Sequence, residues 1–262
     1  GGVNGILFLG VFKYLTDNNQ LKNITTFVGS SIGSVINTLI CIGYDYSELE
    51  DFILSFDFNT IKDCDISNLF KEYGIDIGRK FEITLNCLIK NKLNIDNITL
   101  LEFYKKTKKN NIIITTCLND KSSCFMNHIN YPNLPLITAL RMSTCIPFYF
   151  SPIIYNNKYY VDGSVLNHFG IKYFNENDKS ILGVWLNDTT GIKKIDGLES
   201  YILVLIETVL NTVNIKKNKK DHRVILIDNL HNILDFSISK EDKQKLINIG
   251  FNKTQEFFKK NN

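Results

Sequence analysis

A serine between two glycines stands where an apolar segment gives way to a segment with helical spacing. The pentapeptide "GSSIG" at residues 29–33 follows the β-branched and aromatic "TTFV" and precedes apolar positions that recur through Ile42. G-x-S-x-G between a strand and a helix is typical of a nucleophile elbow, a tight turn that exposes a serine hydroxyl. We therefore expect Ser31 to be a nucleophile, with Gly29 and Gly33 forming the elbow. A plain tight turn is the alternative.

Backbone N–H groups near this serine are candidates to stabilise negative charge. A helix that begins just after Ser31 presents free N–H groups and the positive end of its dipole. A second set of donors is expected from "GGVNG" at residues 1–5, because glycines let backbone N–H groups approach an oxyanion closely. A phosphate-binding nucleotide loop is disfavoured, since neither G-x-G-x-x-G nor G-x-x-x-x-G-K-[ST] occurs in the chain.

A serine nucleophile also needs a proton acceptor. The chain has 4 histidines, and those after Asp162 in a Ser, Asp, His order are His222 and His231. Both stand in segments typical of a solvated surface, whereas His168 is close enough to Asp162 in sequence to line a site or to serve the fold alone. Asp162 in "YYVDGS" ends a β-rich segment, and the residues alone leave it equally a base or part of an Asp-Gly turn.

Helix-like and strand-like segments alternate along the chain. Ser47 with Glu50 and Thr99 with Glu102 predict capping boxes. The spacing predicts helices over 5–17, 34–42, 47–56, 79–91, 99–107, 135–143, 197–215 and 239–258. Strands are predicted at 25–28, 110–118, 180–186 and 223–228, with a hairpin over 150–164 that turns at Asn-Asn. This alternation predicts one α/β domain over 1–262, with a mostly parallel sheet covered on both faces.

Composition excludes several function classes. The net charge of +3, from 30 basic and 27 acidic residues, is too small to indicate a nucleic-acid binder. The 6 cysteines contain no C-x-x-C pair and favour a reducing compartment. No run of 18 apolar residues predicts a membrane-spanning helix. Asp63 and Asp65 lack the rest of a calcium loop, so we expect no metal and no cofactor. The chain begins at Gly1 without methionine, so we expect that an N-terminal segment precedes it.

Together these segments resemble the patatin-like phospholipases over nearly the whole chain. "GGVNGILFLGVFKYL" resembles the glycine-rich oxyanion loop and first helix of that family, and "FVGSSIGSVI" its serine elbow. "ALRMSTCIPFYFSP" and "YYVDGSVLNHF" resemble the segment before the catalytic aspartate and the Asp-Gly segment itself, and "DFSISKEDKQKLINIGF" the closing helix. The resemblance implies a three-layer α/β/α sandwich and a Ser-Asp dyad without histidine, here Ser31 and Asp162.

The resemblance also implies where the oxyanion is held. Its donors are backbone N–H groups around Gly2, Val3 and Ile32, in a loop that includes Gly1 and Gly5. The chain departs from the family at three kinds of position. It has two initial glycines instead of three, so the resemblance implies that a glycine and the first strand of the family precede Gly1. It has Asn4 in place of a basic residue. Ser164 stands where glycine or alanine is usual, and Gly170 stands where proline is frequent. None of these changes removes a reacting group, although Asn4 puts loop anchoring or anion recognition in question.

The implied activity is metal-independent hydrolysis of fatty-acyl esters, most simply of the phospholipase A type. The expected partners are membrane phospholipid or another acyl lipid, with peripheral membrane contact, no nucleic acid and an unknown protein activator, in the cytoplasm or at a membrane surface. The aromatics of "IPFYFSP" at 146–152 either line an acyl channel or belong to the core. The basic run at 215–223 either attracts anionic lipid or is a solvated loop. A general carboxylesterase and a non-catalytic lipid-binding or storage protein remain alternatives.

Overall fold

The computed structural model describes residues 2–175, 177–187, 195–198, 200–202, 204–205, 208, 221–229, 231 and 236–261. The helices are α1 Leu7–Asp17, α2 Ile32–Cys41, α3 Tyr46–Ser55, α4 Asn68–Glu72, α5 Arg79–Leu93, α6 Leu100–Thr107, α7 Leu136–Ser143 and α8 Lys240–Asn261. The strands are β1 Thr26–Ser30, β2 Gly74–Asp76, β3 Asn110–Cys117, β4 Ser122–Met126, β5 Phe148–Phe150, β6 Ile153–Tyr155, β7 Lys158–Asp162, β8 Gly183–Asn187 and β9 Val224–Asp228. The predicted helix over 197–215 lies largely outside the described residues.

Strand β3 organises a 5-stranded mixed sheet. Residues 110–114 of β3 pair in parallel with β1, and residues 115–117 pair antiparallel with β7. Strand β4 pairs antiparallel with residues 113–117 of β3. Because a strand has only two edges, β4 occupies one edge and β1 and β7 follow each other along the other. The ends of β1 and β7 therefore meet beside the middle of β3.

The α/β class predicted from the sequence is confirmed, with a sheet that is not purely parallel. The ladders β1–β3, β2–β5 and β8–β9 are parallel, whereas β3–β4, β3–β7 and β6–β7 are antiparallel. The antiparallel β6–β7 pair is the predicted hairpin. Asn156 and Asn157 occupy its turn with φ of 49° and 57°, a conformation that asparagine tolerates better than most residues.

Local side-chain bonds set where the helices begin. The predicted box at the start of α6 is confirmed, because Thr99 Oγ1 accepts from the Glu102 N–H and the Glu102 carboxylate accepts from the Thr99 N–H. The box predicted two residues into α3 is wrong. Asp45 Oδ1 accepts from the Glu48 N–H at 2.9 Å, so α3 is capped by an earlier aspartate that the same sequence spacing also allows.

The first and last helices cross at very close range. A Cβ atom added to Gly10 of α1 would collide with the carbonyl oxygen of Ile247 in α8, and one added to Gly250 would collide with the carbonyl oxygen of Leu7. Only glycine lets the two backbones touch in this way. The contact fixes α8 against the helix that follows the N-terminal loop.

We predict that Gly250→Ala destabilises the protein by about 1–3 kcal/mol or more, because the helices must separate to admit a methyl group. Chemical denaturation followed by circular dichroism measures the loss. Gly197→Ala is the matched control, since an added Cβ there meets no atom within 4 Å. Equal stability of the two variants would contradict the close crossing.

Candidate active site

Ser31 occupies the turn between β1 and α2 in a strained backbone conformation. Its φ of 54° and ψ of −133° are rare for a residue with a side chain. The turn is held at both ends. The Ser31 carbonyl accepts from the N–H and the hydroxyl of Ser34, at 2.9 and 2.6 Å. The Ser31 N–H donates to Ser143 Oγ at 3.0 Å, and the Ser143 hydroxyl donates to the Ile114 carbonyl of β3 at 2.7 Å.

The two elbow glycines differ in how strictly the fold requires them. A Cβ atom on Gly29 would lie 2.6 Å from the Ser34 nitrogen, so any side chain there would displace the start of α2. At Gly33 the nearest atom to an added Cβ is Phe8 Cε2, at 3.9 Å. The packing therefore explains Gly29 and leaves space for a methyl group at Gly33.

The sheet register brings Asp162 to Ser31. Ser30, the last residue of β1, lies opposite Ile114, and Asp162, the last residue of β7, lies opposite Thr115. Ser31 and Asp162 are 131 positions apart in the chain, and the pairing with β3 brings them next to each other at one edge of that strand. The Ser31 hydroxyl interacts with the Asp162 carboxylate and lowers the pKa of that group.

The Asp162 carboxylate is buried, with a residue exposure of 3%. Burial raises its pKa above the usual 3.8, and hydrogen bonds from Ser31 and from the N–H and hydroxyl of Ser164 oppose that rise. The Ser164 N–H donates to Asp162 Oδ1 at 2.8 Å. The Asp162 N–H donates to the Cys145 carbonyl at 2.8 Å, which fixes the end of β7. The arrangement suits a carboxylate that takes a proton from a serine.

Gly163 after this aspartate is required by close packing. An added Cβ would collide with the Ile114 carbonyl oxygen and would lie 2.7 Å from Ser30 Oγ. The hydroxyl of Ser164, which replaces the usual small residue, lies 3.2 Å from Ser30 Oγ. The Asp-Gly turn and the elbow are therefore packed directly on each other.

The N-terminal glycine loop lies against the elbow. Gly1 lies outside the described residues, whereas Gly2 has φ of 55° and begins a short 3-10 helix, Gly2–Ile6, that leads into α1. A Cβ on Gly5 would collide with the side chain of Ile32. Gly2, Val3, Ser31 and Ile32 line the same pocket, as an oxyanion site at Ser31 requires.

Asn4 anchors this loop, a role that sequence reasoning did not find. Its side chain is fully buried, its amide donates to the His231 carbonyl at 2.7 Å, and its Oδ1 accepts from the His231 N–H at 3.2 Å. The asparagine that stands in place of a basic residue thus binds a backbone 227 positions away. No local sequence signal indicates such a distant partner.

The histidines have different places. His128 stacks on Tyr104 with ring centroids 3.7 Å apart, and burial lowers its pKa. The backbone of His231 holds Asn4, and His222 stands next to the Asp221–Arg223 ion pair of 2.7 Å. His168 alone of the four is among the described residues that line a pocket together with Ser31.

An apolar pocket opens beside Ser31. The space between its walls, including the part that is open to solvent, is about 670 Å³. Ser31, Ile32 and the glycine loop line one part of the pocket, and Thr144 is polar. The other described residues of its wall are apolar: Ile6, Leu9, Ile36, Ile53, Phe58, Ile61, Phe81, Ile146, Phe150 and Phe236. A pocket with this wall accommodates a hydrocarbon chain and excludes charge.

The three aromatic residues of "IPFYFSP" have different surroundings: one lines the pocket, one belongs to the core and one is exposed. Phe150 lines the pocket, Tyr149 is buried at 1% exposure, and Phe148 is exposed at 53%.

Most of the basic run at 215–223 lies outside the described residues. Asp63 pairs with Lys80 at 3.2 Å, and Asp65 Oδ1 accepts from the Ser67 N–H at 2.8 Å. In the part of the chain that the structure describes, no three metal-ligating side chains converge. Among the same residues, no helix has the length and apolar character needed to span a bilayer.

Comparison with known proteins gives a consistent family. A family model described as patatin-like phospholipase matches residues 1–175. A probable lipid hydrolase of Invertebrate iridescent virus 6 is 30% identical over 192 residues, 68% of this chain and 63% of that protein. An uncharacterized protein of Acanthamoeba polyphaga mimivirus is 27% identical over 98% of this chain and 90% of its own length.

Solved structures share the fold at low sequence identity. VipD from Legionella pneumophila matches with a TM-score of 0.68 and 14% identity, covering 99% of this chain and 65% of VipD. Full-length ExoU of Pseudomonas aeruginosa, solved in complex with full-length SpcU, matches with a TM-score of 0.58 and 14% identity, covering 99% of this chain and 51% of that chain. The chain thus spans between half and two thirds of these larger proteins.

We predict that Asp162→Asn stabilises the protein at neutral pH. The folded-state pKa of Asp162 is raised, so the unfolded chain releases its proton at a lower pH than the folded chain does, and stability falls as pH rises through the interval above 3.8. Asparagine keeps the shape without the buried charge. Thermal unfolding should give a higher Tm for the variant, by roughly 2–4 °C per kcal/mol regained, and the difference should vanish at low pH.

The matched control is Asp45→Asn, because the backbone N–H of Glu48 lowers the pKa of the exposed Asp45 and removing that charge should bring no gain. A Tm of Asp162→Asn below that of the wild type at neutral pH would show that the carboxylate stabilises the fold.

Proposed function

We propose, because the chain belongs to the patatin-like phospholipase family, that it hydrolyses fatty-acyl esters of membrane lipids in the manner of a phospholipase A. One observation carries the proposal. Ser31, in a strained elbow, interacts with the buried Asp162 carboxylate and lines an apolar pocket. The pocket would receive the acyl chain, and its end at Ser31 would hold the ester carbonyl.

The proposed reaction has two steps. Ser31 Oγ attacks the ester carbonyl while its proton passes to Asp162, and the ester oxygen leaves as an alcohol with that proton. A water molecule then gives a proton to Asp162 and attacks the acyl-enzyme, and the fatty acid leaves as Ser31 regains its hydrogen. Backbone N–H groups around Gly2, Val3 and Ile32 would stabilise the oxyanion, where one donor is typically worth about 10²–10³ in kcat.

The surroundings of Asp162 support its role as the base. A base works best when its pKa approaches the working pH, and burial raises the pKa of Asp162 in that direction. The Ser164 bonds limit the rise, so that the carboxylate is available to receive the serine proton. Peripheral membrane contact is part of the proposal, and the exposed Phe148, two residues from the pocket residue Phe150, supports it.

The test is product analysis by mass spectrometry on phospholipid vesicles and on soluble short-chain esters. We expect the wild type to release fatty acid and to react with a fluorophosphonate, and Ser31→Ala and Asp162→Asn to lose about 10³-fold or more in kcat. His222→Ala and His231→Gln serve as matched controls and should keep turnover.

Each other outcome has a distinct meaning. Loss of turnover in a histidine variant, with a measurable fraction left in Asp162→Asn, would replace the dyad by a triad. Hydrolysis of short esters alone would identify a general carboxylesterase. Absence of both labelling and product would leave a lipid-binding protein of the same fold.

We further predict that Ser164→Ala moves the rising limb of the pH profile of kcat/KM to higher pH. The hydroxyl helps to hold the pKa of Asp162 down, so its removal raises that pKa and the basic form is reached later. Initial rates across a pH series measure the shift. Ser55→Ala, on the exposed side of α3, should leave the profile unchanged, and an unchanged profile in Ser164→Ala would remove Asp162 as the titrating base.

A further inference from the structure

A second, smaller pocket also opens on the candidate nucleophile. The space between its walls, including the part that is open to solvent, is about 350 Å³, and among the described residues it shares Ser31 and Ile32 with the apolar pocket. The two pockets therefore adjoin at Ser31 and Ile32 and have different walls beyond them. A substrate that reacts at Ser31 can extend into both.

The walls of the second pocket differ chemically from those of the first. Hydroxyls of Ser30 and Ser164 lie on one part of it, 3.2 Å from each other. The rings of His168 and Phe169 lie on another part, each in edge contact with Trp185 at 5.5 and 5.0 Å between centroids. Among the described residues that line this pocket, none is Lys, Arg, Asp or Glu.

This wall selects for a neutral group that carries hydroxyls. A phosphate placed there would lack the cation that normally pairs with it. A long hydrocarbon chain would offer the two serine hydroxyls no hydrogen-bond partner besides each other. A short polyol can hydrogen-bond to the hydroxyls and lay its C–H groups on the aromatic rings.

The geometry of the tetrahedral intermediate indicates where the leaving alcohol lies. The carbon of the intermediate carries Ser31 Oγ, the acyl chain, the oxyanion and the oxygen of the leaving alcohol. If the acyl chain fills the apolar pocket and the oxyanion faces the Gly2–Ile6 loop, the alcohol is left with the second pocket.

We propose that the pocket formed by Ser30, Ser164, His168, Phe169 and Trp185 is the leaving-alcohol subsite and takes the glyceryl part of the lipid. The proposal rests on the proposed function, since it requires an acyl-enzyme at Ser31. The leaving oxygen separates from the acyl carbon and takes the proton held by Asp162.

The same pocket must also accept an alcohol in the reverse direction. Bound glycerol gives a hydroxyl proton to Asp162, its oxygen bonds to the acyl carbon, and Ser31 Oγ leaves and regains the proton. Glycerol then competes with water for the acyl-enzyme, and the product is a monoacylglycerol.

The experiment uses the full chain with a 4-nitrophenyl fatty ester and increasing glycerol, and mass spectrometry gives the ratio of monoacylglycerol to free fatty acid. We expect the rate at which a preformed acyl-enzyme breaks down to saturate with glycerol in the wild type, and to rise linearly and less with propan-1-ol. Trp185→Ala and His168→Leu should lower the ratio at fixed glycerol by about tenfold, as expected when a site loses bonds to a substrate hydroxyl. His168→Gln and Trp185→Phe should lower it less.

The acyl pocket supplies the matched control. Phe81→Ala should change the preference for acyl-chain length without changing the glycerol ratio, because Phe81 lines only the apolar pocket. If Trp185→Ala and His168→Leu fail to fold, the proposal is tested by His168→Gln and Trp185→Phe and by the saturation of the wild type with glycerol.

A breakdown rate that rises linearly with glycerol, together with a product ratio that is equal in all variants and normal release of 4-nitrophenol, would overturn the subsite and leave the hydrolase intact. Absence of any 4-nitrophenol release would instead mean that the acyl-enzyme itself is wrong.

Discussion

The paired edge of β3 is the constraint on which the site depends. It holds β1 and β7 end to end, so that Ser30, just before the elbow, lies opposite Ile114 and Asp162 lies opposite the next residue of β3, Thr115. Ser143 adds a bond from α7 to both the elbow and β3. Gly163 lets the Asp-Gly turn approach the Ile114 carbonyl. The reacting groups are thus positioned by backbone hydrogen bonds, which are more rigid than long side chains.

This arrangement concentrates unfavourable features at one point of the fold. Ser31 has a backbone conformation that costs of order 1–3 kcal/mol, and Asp162 keeps a carboxylate away from water. Neighbouring groups hold both residues in place. Ser34 and Ser143 bond to the backbone of Ser31, and Ser164 bonds to the carboxylate of Asp162. Stability given up at a site in this way is commonly connected with reactivity.

Local patterns predicted much of the fold and the elbow. A strand, a G-x-S-x-G turn and a helix are contiguous in sequence, so their geometry is available to local reasoning, as it is for the Asn156-Asn157 hairpin and the Thr99–Glu102 cap. Asp162 was undecided from the residues alone, and the family resemblance was needed to select it. The two overlapping capping signals before α3 show how a correct pattern can be placed two residues late.

Features that depend on distant contacts could not be predicted in this way. The bonds of Asn4 to the backbone of His231 and of Ser143 to Ser31 join segments more than 100 residues apart. The short β2–β5 ladder and the space beside Gly33 follow from packing that the sequence does not display locally. The second pocket is of the same kind, because its wall combines α1, the elbow, the turn after β7 and β8.

Locating the acyl group on the protein tests the central claim most directly. A fatty ester is mixed with the protein, the reaction is stopped with acid within the first turnover, and peptide mass spectrometry identifies the modified residue. The account predicts a single acyl group on Ser31 whose rate of appearance is strongly reduced in Asp162→Asn. An acyl group on another residue, or one that appears on Ser31 equally fast without the carboxylate, would contradict it.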